Sequence, residues 1–507
     1  MAITLAHVLR SVAARRPEAE ALVIGDNRIS YGELWLSASA TAGFLRDRGL
    51  QPGQRVALLL ESSLEYVAAY YGVLAAGGVV VGLNSAAKAR DLSNWLGHCG
   101  ASWLVADREH PALAELIPAI PERCGLILVG EHGAAAHGSS QWGEVLDHPP
   151  LMTLAAPGSD DPAAIIYTSG TTGEPKGVTL SHGNLLSNTQ AIIGYLGLRE
   201  SDRVLHLLPF YYSYGNSVLH THLAAGATIV LETSLVYPHR VLERMAQERI
   251  TGFSGVPSTF SLLLGRTRLE RFDLSSLRYV TQAGGAMAPS AIQSWRTLVP
   301  QAEFFTMYGQ TEATARLTYL PPARLSEKLG SAGIPLPGVE ISIRSETGEQ
   351  LPAGATGEIC ARGPNIMLGY WNDPQATANA LRDGWLRTGD LGFLDEEGFL
   401  YIEGRSSDMI KTGAHRVSPR EIEEVVLELA GVAEAAAVGV PDELMGQLIK
   451  LVVVPISGVT IEPRSVLAHC RRQLPPYKVP KFIEFQSELP KTASGKVKRF
   501  QLSQINN

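Results

Sequence analysis

RVALLL (55–60), SLEYVAAYYGVLAAG (63–77) and VVVGL (79–83) follow one another with only short breaks. The first is an apolar run bounded by turn residues, the second has helical periodicity and closes on glycine, and the third is rich in β-branched side chains. Together they read as strand, helix, strand. Glu61, Glu65 and the Gly77-Gly78 pair interrupt the apolar residues, and a spanning helix needs ~20 in a row, so this is core and not membrane. The same alternation returns further on. HRVLERMAQERI (239–250) is helical and ITGFSGV (250–256) strand-like. LRYVTQAGG (277–285) is a strand running into a glycine turn, SAIQSWRTLV (290–299) a helix, and AEFFTMYG (302–309) another strand. Such alternation predicts mostly parallel sheets covered by helices, an α/β fold with ligands beyond the carboxyl ends of the strands.

The texture changes after about Ala361. Short strands and turns take over, including GWLRTGDLG (384–392) and DEEGFLYIEG (395–404). Beyond Arg405 comes a compact stretch with two helices, PREIEEVVLELA (419–430) and PRSVLAHCRRQL (463–474), and strands EAAAVGV (434–440) and LIKLVVVP (448–455). This reads as a separate α+β domain of ordinary size. The chain of 507 residues is long enough for several units at ~150 residues each.

Apolar residues make up 45% and charged residues 18%, as in an ordinary soluble protein, and the net charge of −7 gives no reason to expect nucleic acid or an anionic membrane as partner. Cys99, Cys124, Cys360 and Cys470 lie far apart, which argues against a disulfide framework or structural zinc. Buried free thiols in a reducing compartment, the cytoplasm, are expected. The amino terminus reads as an amphipathic helix, too broken for a secretory signal.

The strongest chemical signal is YTSGTTGEPKG (167–177), which follows the apolar strand 163–166. Its glycines let backbone amides approach an anion, Thr168, Ser169, Thr171 and Thr172 add hydroxyl donors, and Lys176 adds charge; this is what binding a polyphosphate requires. Pro175 stands where a P-loop needs its second glycine, so it is not that motif.

This stretch resembles the phosphate loop of the adenylate-forming superfamily, which includes acyl-CoA synthetases, peptide-synthetase adenylation domains and beetle luciferases. Further motifs follow in the family's order over nearly the whole chain. YGQTE (308–312) comes at a strand end; the resemblance implies that Glu312 holds Mg²⁺ against the ATP phosphates, that Thr311 contacts phosphate and that Tyr308 stacks on adenine, with Gly309 between them. QAGGA (282–286) implies backbone contact with adenine from Gly284, Gly285 and Ala286. LRTGD (386–390) matches the ribose-binding segment, where the Asp390 carboxylate would accept bonds from both hydroxyls. Arg405 matches the start of the hinge and also reaches the nucleotide. PKTASGK (490–496) places Lys496 as the lysine essential for adenylation. Thr168, Glu312 and Lys496 are thus the expected catalytic residues, with Thr168, Ser169, Gly170, Thr171, Thr172, Gly173 and Lys176 cradling phosphate.

The implied fold is a large N-terminal domain (1–404) with helix-covered, mostly parallel sheets and a small barrel-like part, and a small mobile C-terminal lid (405–507). The implied reaction joins a carboxylate to AMP and then passes the acyl group to a thiol, of CoA or of a carrier protein's phosphopantetheine arm. In the family the lid rotates between the two steps, and DMIKTGAHRVSP (408–419) swings in, with Lys411, Gly413 and Ala414 on the thioester-forming face.

The chain departs from the family pattern at four places. Ser407 stands where an Asp or Lys hinge is common, Ala414 where glycine is usual, and Tyr212 where histidine is frequent in the aromatic gate LPFYYSY (208–214). Ser213 replaces the aspartate that amino-acid-activating relatives place there, which argues against an α-amino acid. Tyr212, Ser213, Val256 and Gly284 are the candidate acyl pocket, and fatty or other apolar acids are the expected substrates. CoA is the expected acceptor. The alternative is loading of a carrier protein, although neither a fused carrier domain nor an extra insertion of the acyl-AMP ligase kind is expected.

Overall fold

The computed structural model describes residues 3–121, 123–130, 138–168, 176–232, 234–405, 408–412, 415–442, 445–456, 458–491 and 497–503. Arg55–Leu59, Leu64–Ala76 and Val79–Gly82 form the strand, helix and strand expected. The Ser63 hydroxyl caps the helix by accepting from the Tyr66 amide at 3.2 Å, and Gly77 ends it at φ +83°, a conformation that disfavours a side chain. Every residue from Tyr66 to Ala76 is buried. Each large apolar side chain sequestered in this way stabilises the fold by about 1.5–3 kcal/mol.

Among the described residues the large N-terminal part holds two mainly parallel sheets. In the eight-stranded one, Arg55–Leu59 is flanked by Val79–Gly82 and Ala101–Asp107, all parallel. Val79–Gly82 leads outward to Pro162–Thr168, which pairs antiparallel with Lys176–Ser181; that strand pairs in turn with Gly369–Tyr370. In the nine-stranded sheet, Arg203–His206 sits between Thr228–Leu231 and Gly252–Gly255. Tyr279–Gln282 and Glu303–Tyr308 extend it in parallel. The chain leaves Arg203–His206 through the helix Ser213–Ala225 to one neighbour, then crosses through Pro238–Gln247 to the other. The sheet reverses its winding there, so a crevice opens beyond His206 and Gly255, where ligands bind in such sheets.

A five-stranded antiparallel sheet within 340–405 forms the barrel-like part. The small C-terminal domain has its own five-stranded sheet, with Val432–Asp442 and Gly446–Pro455 paired antiparallel and Phe482–Phe485 parallel. The helices Pro419–Leu427 and Pro463–Gln473 pack on it through Ile422, Val426, Val466 and Cys470.

The amino-terminal helix Leu5–Arg15 buries Leu5, Ala6, Leu9, Val12 and Ala13 and exposes its charged face, as its pattern predicts. All four cysteines are free thiols; three are buried and Cys124 is half-buried. No described helix is long and apolar enough to cross a membrane.

Candidate functional site

The site assembles where strand ends of the two parallel sheets face each other. Thr168 and Lys176 close the neck of the candidate phosphate loop: they are register partners, and the Thr168 hydroxyl donates to the Lys176 carbonyl at 3.5 Å. Residues 169–175, which include Ser169, Gly170, Thr171, Thr172 and Gly173, lie outside the described residues. Lys176 Nζ stands 5.1 Å from the centre of the Tyr370 ring, within cation–π range. The Tyr370 phenol donates to Glu312 Oε1 at 2.9 Å. Tyr370 comes from the strand paired beside Val178, and Glu312 from the short 3-10 turn Thr311–Ala313 that follows the strand Glu303–Tyr308 of the other sheet. The neck lysine and the candidate metal carboxylate therefore share one tyrosine. Burial, and then the Glu312 charge, push the Tyr370 phenol above its ordinary pKa, so it stays a donor at neutral pH.

Tyr308 ends the strand Glu303–Tyr308, and its phenol donates to Asp390 Oδ2 at 2.6 Å. Arg405 Nε donates to the other oxygen, Oδ1, at 3.1 Å. Asp390 and Arg405 are register partners on the antiparallel pair Trp385–Leu394 and Leu400–Arg405, which is why they meet. Burial opposes the Arg405 charge, but the carboxylates of Asp390, Glu312 and Asp408 hold its pKa above the ordinary value. Burial, then the Asp390 charge, likewise raise the Tyr308 phenol.

The loop between these residues is tightly constrained. A Cβ on Gly309 would lie 2.1 Å from the Ala315 carbonyl oxygen and 2.6 Å from Arg316 Cα, so the backbone doubles back through space that only glycine leaves free. Thr314 adopts φ +65°, and its hydroxyl donates to the Asn365 carbonyl at 2.6 Å. Asn365 Nδ2 donates to the carbonyls of Ala313 and Arg316.

The acyl-pocket candidates gather at the crevice. Ser213, the first residue of its helix, shares a hydrogen bond of 3.2 Å with Thr311, so the pocket and phosphate candidates touch. Val256 Cγ1 lies 3.1 Å from where a Cβ on Gly284 would stand, and Gly284 itself has φ +86°. Gly285 and Ala286 follow in the same turn; Gln282, fully buried, donates through Nε2 to the Gly285 carbonyl at 2.7 Å and closes it. Tyr212 is half-buried at the helix start, its ring 4.6 Å from that of Tyr211.

Lys411 is exposed on the C-terminal sheet, where its amide donates to Gln447 Oε1 at 2.7 Å. Ser407, Gly413, Ala414 and Lys496 lie outside the described residues. Sequence reasoning missed Tyr370, Asn365 and the bracing role of Gln282. Only Gln282 carried a signal, its place at the head of the QAGGA turn; the other two act through contacts 49–58 residues away in the chain.

Residues 9–371 match the family model described as AMP-binding enzyme, and residues 421–496 match the AMP-binding enzyme C-terminal domain. A feruloyl-CoA synthase of Amycolatopsis sp is 37% identical over 96% of this chain and 95% of its own. A long-chain-fatty-acid–CoA ligase of Bacillus subtilis is 33% identical over 98% and 94%. Among solved structures, an anthranilate CoA ligase in complex with anthranoyl-AMP superposes with a TM-score of 0.92 at 27% identity, covering 99% of this chain and 96% of that one.

Proposed function

Because the chain belongs to the AMP-binding enzyme family, we propose that it is an AMP-forming acid–thiol ligase that activates a carboxylic acid with ATP and passes the acyl group to CoA. The observation that carries the reading is the meeting of Lys176, Glu312, Tyr308 and Asp390, through Tyr370 and Arg405, at one crevice.

In the first step an acid carboxylate oxygen attacks the α-phosphorus of ATP and the bond to pyrophosphate breaks. Lys176 and the phosphate loop hold the polyphosphate. Asp390 accepts from the ribose hydroxyls, and Tyr308 and Arg405 fix both of its oxygens so that the acceptor is oriented beforehand. The turn at Gly284, Gly285 and Ala286, braced by Gln282, brings backbone against the flat adenine, on which Tyr308 stacks. The hard carboxylate oxygen of Glu312, steadied by Tyr370, would hold a Mg²⁺ ion, which when bound would neutralise phosphate charge. Lys496 supplies positive charge to the oxygens of the transferring group.

In the second step the C-terminal domain, which we bound at Arg405, turns about Arg405 and Ser407. That motion brings Lys411, Gly413 and Ala414 to the thiol path. The thiolate attacks the acyl carbon and AMP departs. The acid has an apolar body, fatty or aryl, consistent with Val256, Gly284 and Tyr212 around it and with a neutral Ser213 that offers no charge to an ammonium group. The reading is tested by incubating the protein with ATP, Mg²⁺, CoA and a panel of fatty, aryl and amino acids. Acid-dependent pyrophosphate and a CoA thioester found by mass are expected. Pyrophosphate without any thioester would remove CoA as acceptor in favour of a carrier protein.

A further inference from the structure

Arg316 is among the largest fully buried side chains of the protein, 2% exposed. Its Nη1 donates to the Tyr195 phenol at 2.8 Å, and its guanidinium carbon stands 5.2 Å from the centre of the Tyr214 ring. Its buried Nε has no acceptor, and no carboxylate among the described residues forms an ion pair with it. Tyr195 is a neutral acceptor only, its own proton directed to Met307 Sδ at 2.9 Å. Two half-buried arginines do have such a partner: Arg278 meets Asp202 at 2.6 Å, and Arg203 meets Glu248 at 2.5 Å. A guanidinium taken out of water without an anion is costly, because solvation is lost and no countercharge replaces it.

The location says what the missing anion belongs to. Tyr195, Tyr214, Met307 and Ala283 pack in one apolar cluster. Tyr214 directly follows Ser213 and Ala283 directly precedes Gly284, so this cluster adjoins the acyl-pocket candidates. Arg316 reaches into that cluster from the loop that carries Thr311 and Glu312, and Ser213 and Thr311 touch. The reacting carboxylate must sit toward Thr311 and the phosphates, with the rest of the acid extending from it along Ser213 and Gly284.

We propose that the acid carries a second carboxylate at the end remote from the reacting one, and that Arg316 receives it. This rests on the acid-activating reading above and narrows it: the apolar body lies between two carboxylates, one adenylated and the other neutralising the buried guanidinium. A planar guanidinium fork matches a carboxylate with two parallel hydrogen bonds, which a methyl terminus cannot make. A site built to hydrogen-bond a polar group discriminates strongly against the analogue without it, because its own buried donors are then left unpaired.

The experiment compares aliphatic and aromatic dicarboxylic acids, each against the monoacid in which a methyl group replaces the second carboxylate. The reads are pyrophosphate release and CoA thioester mass. With the wild-type protein, kcat/KM for the best diacid should exceed its methyl partner by ~10–100-fold, the worth of one charged hydrogen-bonded pair. Arg316→Leu should abolish that preference by raising KM for the diacid, with the monoacid changed far less; Arg316→Lys should restore part of it. Wild-type protein that prefers the methyl-terminated acids overturns the proposal, and needs no variant. So does an equal loss on both classes in a natively melting Arg316→Leu protein, which would make Arg316 a core residue alone. Absence of pyrophosphate release with every acid overturns the acid-activating reading itself, whereas release with monoacids only overturns this inference and leaves that reading standing.

Discussion

The Tyr370 phenol donates to the Glu312 carboxylate at 2.9 Å and thereby ties a strand of the eight-stranded sheet to a loop of the nine-stranded one. The same ring lies under Lys176. One side chain thus sets the spacing between the neck of the candidate phosphate loop and the carboxylate proposed to hold Mg²⁺. Tyr370→Phe keeps the ring under Lys176 and removes only the hydrogen bond. Loss of a hydrogen bond to a charged acceptor is worth about 1.5–3 kcal/mol. Acid-dependent ATP–pyrophosphate exchange should therefore fall by roughly 10–100-fold, with a higher KM for MgATP and a melting temperature lowered by only a few degrees. Unchanged exchange would mean that Glu312 does not depend on Tyr370.

Asp390 is held from both sides, by Tyr308 on one oxygen and Arg405 on the other. Asp390→Ala removes the proposed ribose acceptor and leaves the buried Tyr308 hydroxyl without its partner. A drop in ATP affinity of roughly 100-fold is expected from lost charge-assisted hydrogen bonds. Asp390→Asn should lose less, because an amide oxygen still accepts. Isothermal titration with AMP distinguishes the three proteins; equal affinities would remove Asp390 from the nucleotide site.

Gly309 is required by packing. In Gly309→Ala the added methyl would meet the Ala315 carbonyl and the Arg316 backbone well inside contact distance. The loop must shift, at about 1–3 kcal/mol for overpacking of this kind. Chemical denaturation should report that loss, and activity should fall further than stability because Thr311, Glu312 and Arg316 ride on the displaced loop. A variant as stable and active as the wild type would contradict the contact.

Four buried histidines give the protein an acid-sensitive fold. Burial lowers His206 and His220 from the ordinary 6.5 to about 3, and His182 and His222 to about 4. Unfolded imidazoles bind protons below about pH 6.5 while these folded ones stay neutral, so the unfolded state gains protons first. Stability should hold above pH 6.5 and fall as pH drops from 6.5 toward 4, by up to about 1.4 kcal/mol per pH unit for each such group. Melting temperature against pH measures it. His206→Phe, which keeps an aromatic ring against Phe210, should make the slope shallower; an unaltered slope would show that His206 takes no part.

Residues adjacent in the chain made their own chemistry legible. The strand, helix, strand reading of 55–83 held because periodicity and the Ser63 and Gly77 ends act within a few residues. The phosphate loop, YGQTE, QAGGA and LRTGD could be located as motifs for the same reason: glycines and polar groups at fixed spacing report a backbone that must approach a ligand. Those motifs say nothing about what lies across from them. Tyr370 stands 58 residues from Glu312, and Tyr195 stands 121 from Arg316, with no local pattern linking either pair. Arg316 lies just past the YGQTE motif, outside every stretch that the sequence singles out. Only the packing of Tyr195, Tyr214 and Met307 decided that it is buried. Local spacing determines backbone conformation, whereas burial and charge pairing depend on which distant segments the tertiary fold brings together. The sequence alone therefore located the candidate motifs for the nucleotide, and only the fold placed the Arg316 guanidinium in the interior without a carboxylate partner among the described residues.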